Sequence, residues 1–132
     1  MVCDAVQHGH LKGIVHRDLK PANILIRRDQ SPVIVDFGLA HDMEMDLELT
    51  KTGEVFGTPA FMSPEQVRGR GAGSIDSRTD IWSLGVSLYL AVTRRHPFEG
   101  PTRERLLSAI LEDDPPPARS LNPCVSRELD AV

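Results

Sequence analysis

Two short apolar runs, Ile24-Leu25-Ile26 and Pro32-Val33-Ile34-Val35, stand five polar residues apart, and this arrangement constrains the chain more than any other stretch. Runs of that length, rich in β-branched residues and bounded by turn formers, read as the strands of a hairpin, with Arg27 to Ser31 as the turn. An antiparallel hairpin brings its two ends together, so Asn23 and Asp36 are expected side by side. The segment just upstream, His16-Arg17-Asp18-Leu19-Lys20-Pro21-Ala22-Asn23, adds Asp18 and Lys20 to the same neighbourhood.

Paired oxygen donors such as Asn23 and Asp36 suit a hard cation, Mg²⁺ with Mn²⁺ as an alternative, held by one or two protein oxygens together with nucleotide phosphates. Asp18 beside them is a carboxylate able to accept a proton. Lys20, two residues on, places a positive charge where a transferring phosphoryl group would develop negative charge. Phosphoryl transfer requires this kind of positioning and charge neutralisation more than it requires covalent help.

These residues carry a resemblance. The stretch from His16 to Asn23 resembles the H-R-D-L-x-x-x-N catalytic loop of protein kinases, and Asp36-Phe37-Gly38 follows as the D-F-G of the same family. Lys20-Pro21 resembles the serine/threonine branch, and the wording from His96 onward resembles eukaryotic-like kinases of bacteria.

The remainder of the chain is read on its own terms. With 132 residues it is long enough to bury a single core, and 40% hydrophobic and 26% charged residues are ordinary for a globular domain. A net charge of −4 without a basic stripe argues against a nucleic-acid partner. Cys3 and Cys124 belong to no metal or redox pattern and read as reduced thiols of a cytoplasmic protein. Asp4, Gln7 and His8 interrupt any signal-peptide run. Ile81 to Val92 is too short to span a bilayer, so no membrane segment is expected.

Met1 to Lys12 reads as helix turns stopped by Gly13. His8 and His10 are two apart, do not share a helix face, and are not read as a metal site. Leu39 to Gly57 and Arg68 to Ser77 read as loops. Asp80 to Val92 reads as a helix apolar nearly all round, which places it inside the protein, with Asp80 as an N-cap in the simplest view. Arg103 to Asp113 is amphipathic, with Leu106, Leu107, Ile110 and Leu111 in one stripe. Pro115 to Pro117 end it, and Ser126 is expected to cap a last short helix.

The resemblance implies more. It makes residues 1–132 a partial protein kinase domain: mainly α with a small β-hairpin, a protein-kinase-like fold, C-terminal lobe only. It assigns Asp18, Lys20 and Asn23 to catalysis, Asn23 and Asp36 to metal, and Lys20, Asn23, Ile24, Leu25 and Asp36 to ATP, Ile24 and Leu25 lying under the adenine. It makes Asp36 to Glu65 an activation segment in which Thr50 or Thr52 takes a regulatory phosphate opposite Arg17. Thr58 would approach Asp18 and Lys20, and Phe61 and Met62 would line the pocket for the substrate protein. Glu65 would pair with an arginine expected beyond the last short helix, past Val132, and Asp80 would brace the catalytic-loop backbone.

The expected activity is transfer of the γ-phosphoryl of ATP to Ser or Thr hydroxyls of proteins. No G-x-G-x-x-G or strand lysine occurs in the chain, so an N-terminal lobe supplied from elsewhere is expected to be needed. Two alternatives stand beside this reading. One is a small-molecule kinase of the aminoglycoside phosphotransferase type, against which Lys20-Pro21 and the Gly57 to Glu65 stretch argue. The other is a truncated, non-catalytic remnant or docking module.

Overall fold

A computed structural model describes residues 1–36, 59–69 and 75–130. Helix α1 spans Val2–Leu11 and ends where Gly13 takes φ +74°, a left-handed value that glycine adopts without a Cβ penalty. A loop and one 3₁₀ turn at Pro21–Asn23 lead into β1, Ile24–Ile26, which pairs antiparallel with β2, Pro32–Ile34. The connecting turn is closed by Arg27 N–H donating to Ser31 O at 2.9 Å, while Asp29 Oδ1 accepts from Ser31 N–H at 3.0 Å.

That five-residue turn sets Ile26 opposite Pro32 and Ile24 opposite Ile34. Asn23 therefore faces Val35, whose N–H donates to Asn23 O at 3.0 Å. Asp36 lies one residue further, where φ +57° redirects the chain.

Helices α2 (Pro64–Arg68), α3 (Arg78–Thr93), α4 (Arg103–Glu112), α5 (Ala118–Leu121) and α6 (Arg127–Asp130) follow. Ser63 and Thr102 cap α2 and α4 by accepting from Gln66 N–H and Arg105 N–H, and Ser126 Oγ accepts from Leu129 N–H at 3.2 Å. The short α5 lies just after the prolines, where the sequence signals only a break.

Two apolar clusters hold these elements. Val6 of α1, Leu19 of the loop and Ile34 of β2 form one, with Ile24 and Leu84 packed against it. Ala60, Phe98, Leu106, Ala109 and Ile110 form the other, joined by Phe61 and by Trp82, whose ring stacks on Phe98 at 5.8 Å. Full burial of a side chain such as Leu106 contributes about 1.5–3 kcal/mol.

Helix α3 corrects two expectations. Its buried face is Thr79, Asp80, Ser83 and Val86, while Ile81 and Leu88 are 61% and 45% exposed. The helix is seated by polar groups, each with a hydrogen-bond partner, and an apolar count cannot reveal such a face. Asp80 is not the N-cap; Ser77 occupies that position and Asp80 lies in the first turn.

Candidate active site

The loop from His16 to Lys20 has almost no secondary structure of its own, so side chains from elsewhere must fix its backbone. Asp80 supplies most of that. Its Oδ2 accepts the His16 N–H at 2.8 Å and its Oδ1 accepts the Arg17 N–H at 2.8 Å. His10 at the end of α1 donates Nε2–H to the same Oδ2 at 2.7 Å. His16 is buried and lies 2.9 Å from Val35 O through Nε2, while the Asp18 N–H donates to its Nδ1 at 3.3 Å. A carbonyl only accepts and an amide N–H only donates, so this ring is the neutral Nε2–H tautomer.

On that framework Asp18, Lys20 and Asn23 converge. Lys20 Nζ lies 2.8 Å from Asp18 Oδ2. Asn23 is buried and donates Nδ2–H to Asp18 O at 2.8 Å and to Asp18 Oδ2 at 3.3 Å. With its nitrogen turned toward Asp18, the amide presents Oδ1 elsewhere. Among the described residues no group of three His, Cys, Asp or Glu forms a metal cage. Asn23 and Asp36 are nonetheless oxygen donors of the kind that Mg²⁺ takes when phosphates and water complete its shell. Ile24 is partly buried and packs against the cluster of Val6, Leu19 and Ile34, whereas Leu25 is 52% exposed.

A second wall comes from residues 59–68. Phe61 packs on the core and meets His96 edge-on at 5.5 Å, and its carbonyl accepts from Ser83 Oγ at 2.9 Å. Met62 and Gln66 join Arg17, Asp18 and Leu19 around a recess of about 30 Å³. Glu65 accepts the Thr79 hydroxyl at 2.6 Å and is only partly buried. Burial pushes its carboxyl up, but the Thr79 hydroxyl, its own backbone N–H and Ser63 outweigh this and hold it below its ordinary value. Thr79 is the partner found here, while the nearby Arg68 is exposed.

Phe37, Gly38, Thr50, Thr52 and Thr58 lie outside the described residues. The Arg17 side chain is exposed, and its backbone adopts φ +67°. Sequence reasoning missed Gln66, whose Nε2 donates to Arg17 O at 2.6 Å, and also Thr79 and the role of His10. Their partners lie 49, 14 and 70 residues away respectively. The spacing Ser63-x-x-Gln66 was the one available signal, and it speaks of a helix start.

Residues 1–123 match the family described as protein kinase domain. The chain is 44% identical over 135 residues to the serine/threonine-protein kinase Pkn1 of Myxococcus xanthus, covering 99% of this chain and 19% of that protein. It is 38% identical over 130 residues to the serine/threonine-protein kinase PknB of Mycobacterium leprae, covering 98% and 20%. To the DNA damage-responsive serine/threonine-protein kinase RqkA of Deinococcus radiodurans it is 41% identical over 121 residues, covering 92% and 18%. The chain thus spans about a fifth of the length of these curated relatives.

Proposed function

The chain belongs to the protein kinase domain family, and from that premise we propose that it carries the catalytic loop of a serine/threonine protein kinase acting on protein substrates with Mg·ATP. In this reading residues 1–132 supply the C-terminal lobe of the catalytic domain, and an N-terminal lobe completes the ATP site. The observation that carries it is the setting of Asp18. Its carboxylate lies 2.8 Å from Lys20 Nζ and within reach of the Asn23 amide, on a loop whose backbone is pinned by a buried aspartate.

Asp18 orients the Ser or Thr hydroxyl and accepts its proton as the oxygen bonds to the γ-phosphorus. The bond to the β–γ bridging oxygen breaks and ADP leaves. Lys20, already beside Asp18, stabilises the charge spread over the transferring group. Asn23 and Asp36 would hold Mg²⁺, which neutralises phosphate charge when bound. Leu25 offers the exposed apolar side chain expected beneath an adenine.

Arg17, whose side chain is exposed next to Asp18, would pair with a phosphate on Thr50 or Thr52 through charge-assisted hydrogen bonds, a reading supported by the family resemblance. In this reading Phe61 and Met62 form the substrate-side wall of the same site, and Asp80 and Glu65 support it. Cys3 and Cys124 are exposed free thiols, which supports a cytoplasmic place for this part of the protein. Among the described residues no helix is long and apolar enough to cross a membrane.

The test is transfer of labelled γ-phosphate from Mg·ATP to a generic basic protein by the full-length protein that carries this chain. Phosphoserine or phosphothreonine in the acceptor is the expected product. Transfer to an aminoglycoside but to no protein would overturn the reading.

A further inference from the structure

We infer that Gln66 is a positioning residue for Asp18, tying the turn that opens α2 to the peptide linking Arg17 and Asp18; this rests on the catalytic role proposed for Asp18. Gln66 is 6% exposed and uses both ends of its carboxamide. Its Oε1 accepts the Ser63 N–H at 3.0 Å, closing the capping box of α2. Its Nε2 donates to Arg17 O at 2.6 Å. The amide cannot be reversed, because the Ser63 N–H only donates and the Arg17 carbonyl only accepts.

The carbonyl held by Gln66 belongs to the same planar peptide unit as the Asp18 N–H, so fixing the oxygen fixes the plane from which Asp18 projects. Arg17 itself is left-handed at φ +67°, a strained state for a residue with a Cβ, and such states persist when surroundings over-determine them. Two side chains from different elements do so here. Asp80 of α3 holds the Arg17 N–H at 2.8 Å, and Gln66 of α2 holds its carbonyl. The Asp80 bond anchors the loop to the long helix. The Gln66 bond makes the position of Asp18 depend on whether residues 63–68 are docked and capped. A segment that undocks would release the Arg17 carbonyl, and the catalytic carboxylate would lose its aim.

Two substitutions separate this role from capping. Gln66→Glu keeps an acceptor for the Ser63 N–H, since glutamate is itself a capping-box residue, but has no donor for Arg17 O. Gln66→Met loses both. In the full-length protein, with phosphoryl transfer from Mg·ATP to a generic basic protein as the readout, both variants are expected to lower kcat roughly 10- to 100-fold with little change in the KM for ATP. Both should lower the thermal midpoint, Gln66→Glu because a buried carboxylate oxygen then faces the Arg17 carbonyl and Gln66→Met because the cap is lost, so kcat is read per folded molecule. Wild-type kcat in Gln66→Glu, with activity following stability alone, would overturn the inference. If Gln66→Glu fails to fold, kcat per folded molecule of Gln66→Met decides in the same sense.

Amide hydrogen exchange in the full-length protein gives a reading independent of activity. Faster exchange of the Arg17 and Asp18 N–H groups in Gln66→Glu is expected, and unchanged exchange there contradicts the coupling. Absence of phosphoryl transfer by the wild-type protein would instead refute the kinase reading and leave the exchange result to judge the contact.

Discussion

Asp80 Oδ1 accepts the backbone N–H of Arg17 at 2.8 Å across 63 residues of sequence, joining the first turn of α3 to the residue before Asp18. The same carboxylate is 1% exposed and also takes the His16 N–H and the His10 imidazole. Removing it leaves buried donors without acceptors, so Asp80→Ala is expected to cost about 3–5 kcal/mol. Asp80→Asn keeps one acceptor but turns an NH₂ toward a backbone donor, for about 1–3 kcal/mol. Urea unfolding of the two variants checks the order, and an Asp80→Ala protein as stable as wild type would contradict it.

Glu65 gives a pH prediction. Its folded carboxyl is held below the ordinary value of 4.5 by the Thr79 hydroxyl, its own N–H and Ser63, which together exceed the upward push of burial. A depressed folded value means a stability contribution that is fully present above pH 4.5 and is lost as pH falls through the folded value. Thr79→Val should flatten the acid limb of the urea midpoint plotted against pH, besides costing about 1–2 kcal/mol at neutral pH. An acid limb as steep as that of wild type would show that Thr79 does not hold the carboxylate.

The hairpin was legible because two β-branched runs flanking a polar turn admit few alternatives, and the amphipathic stripe of α4 was legible from its period. The register was less so: the five-residue turn decides that Asn23 faces Val35, and only the paired strands display that count. The buried face of α3 was hidden for a physical reason. Thr79, Asp80 and Ser83 are polar, and their burial is tolerated only because Glu65, the loop backbone and Phe61 O supply partners from distant sequence. Ile24 and Leu25 read alike in sequence, yet strand alternation sends one toward the core and leaves the other exposed. For Gln66 and His10, partner identity depends on tertiary packing, which no local pattern encodes.

Two backbone positions predict effects of opposite sign. Arg94 ends α3 in the left-handed region at φ 59°, so Arg94→Gly should relieve strain beyond the entropy that glycine adds to the unfolded chain, a net gain of roughly 0.5–1 kcal/mol. At Gly100 a Cβ would meet Leu106 N at 2.6 Å, backbone that cannot easily yield at the start of α4. Gly100→Ala should therefore destabilise by about 1–3 kcal/mol. Thermal midpoints shifting in the same direction for both would refute this account of the two sites.

Asp18 is proposed as the proton acceptor of a protein phosphotransferase, and a single isosteric substitution puts that role to the test. Asp18→Asn keeps the size of the side chain and an oxygen near Lys20 but removes the basic carboxylate. In the full-length protein, with Mg·ATP and a generic basic acceptor, kcat for phosphoryl transfer to Ser or Thr is predicted to fall by roughly 10²–10⁴, with the thermal midpoint nearly unchanged. Transfer by Asp18→Asn at the wild-type rate would contradict the claim.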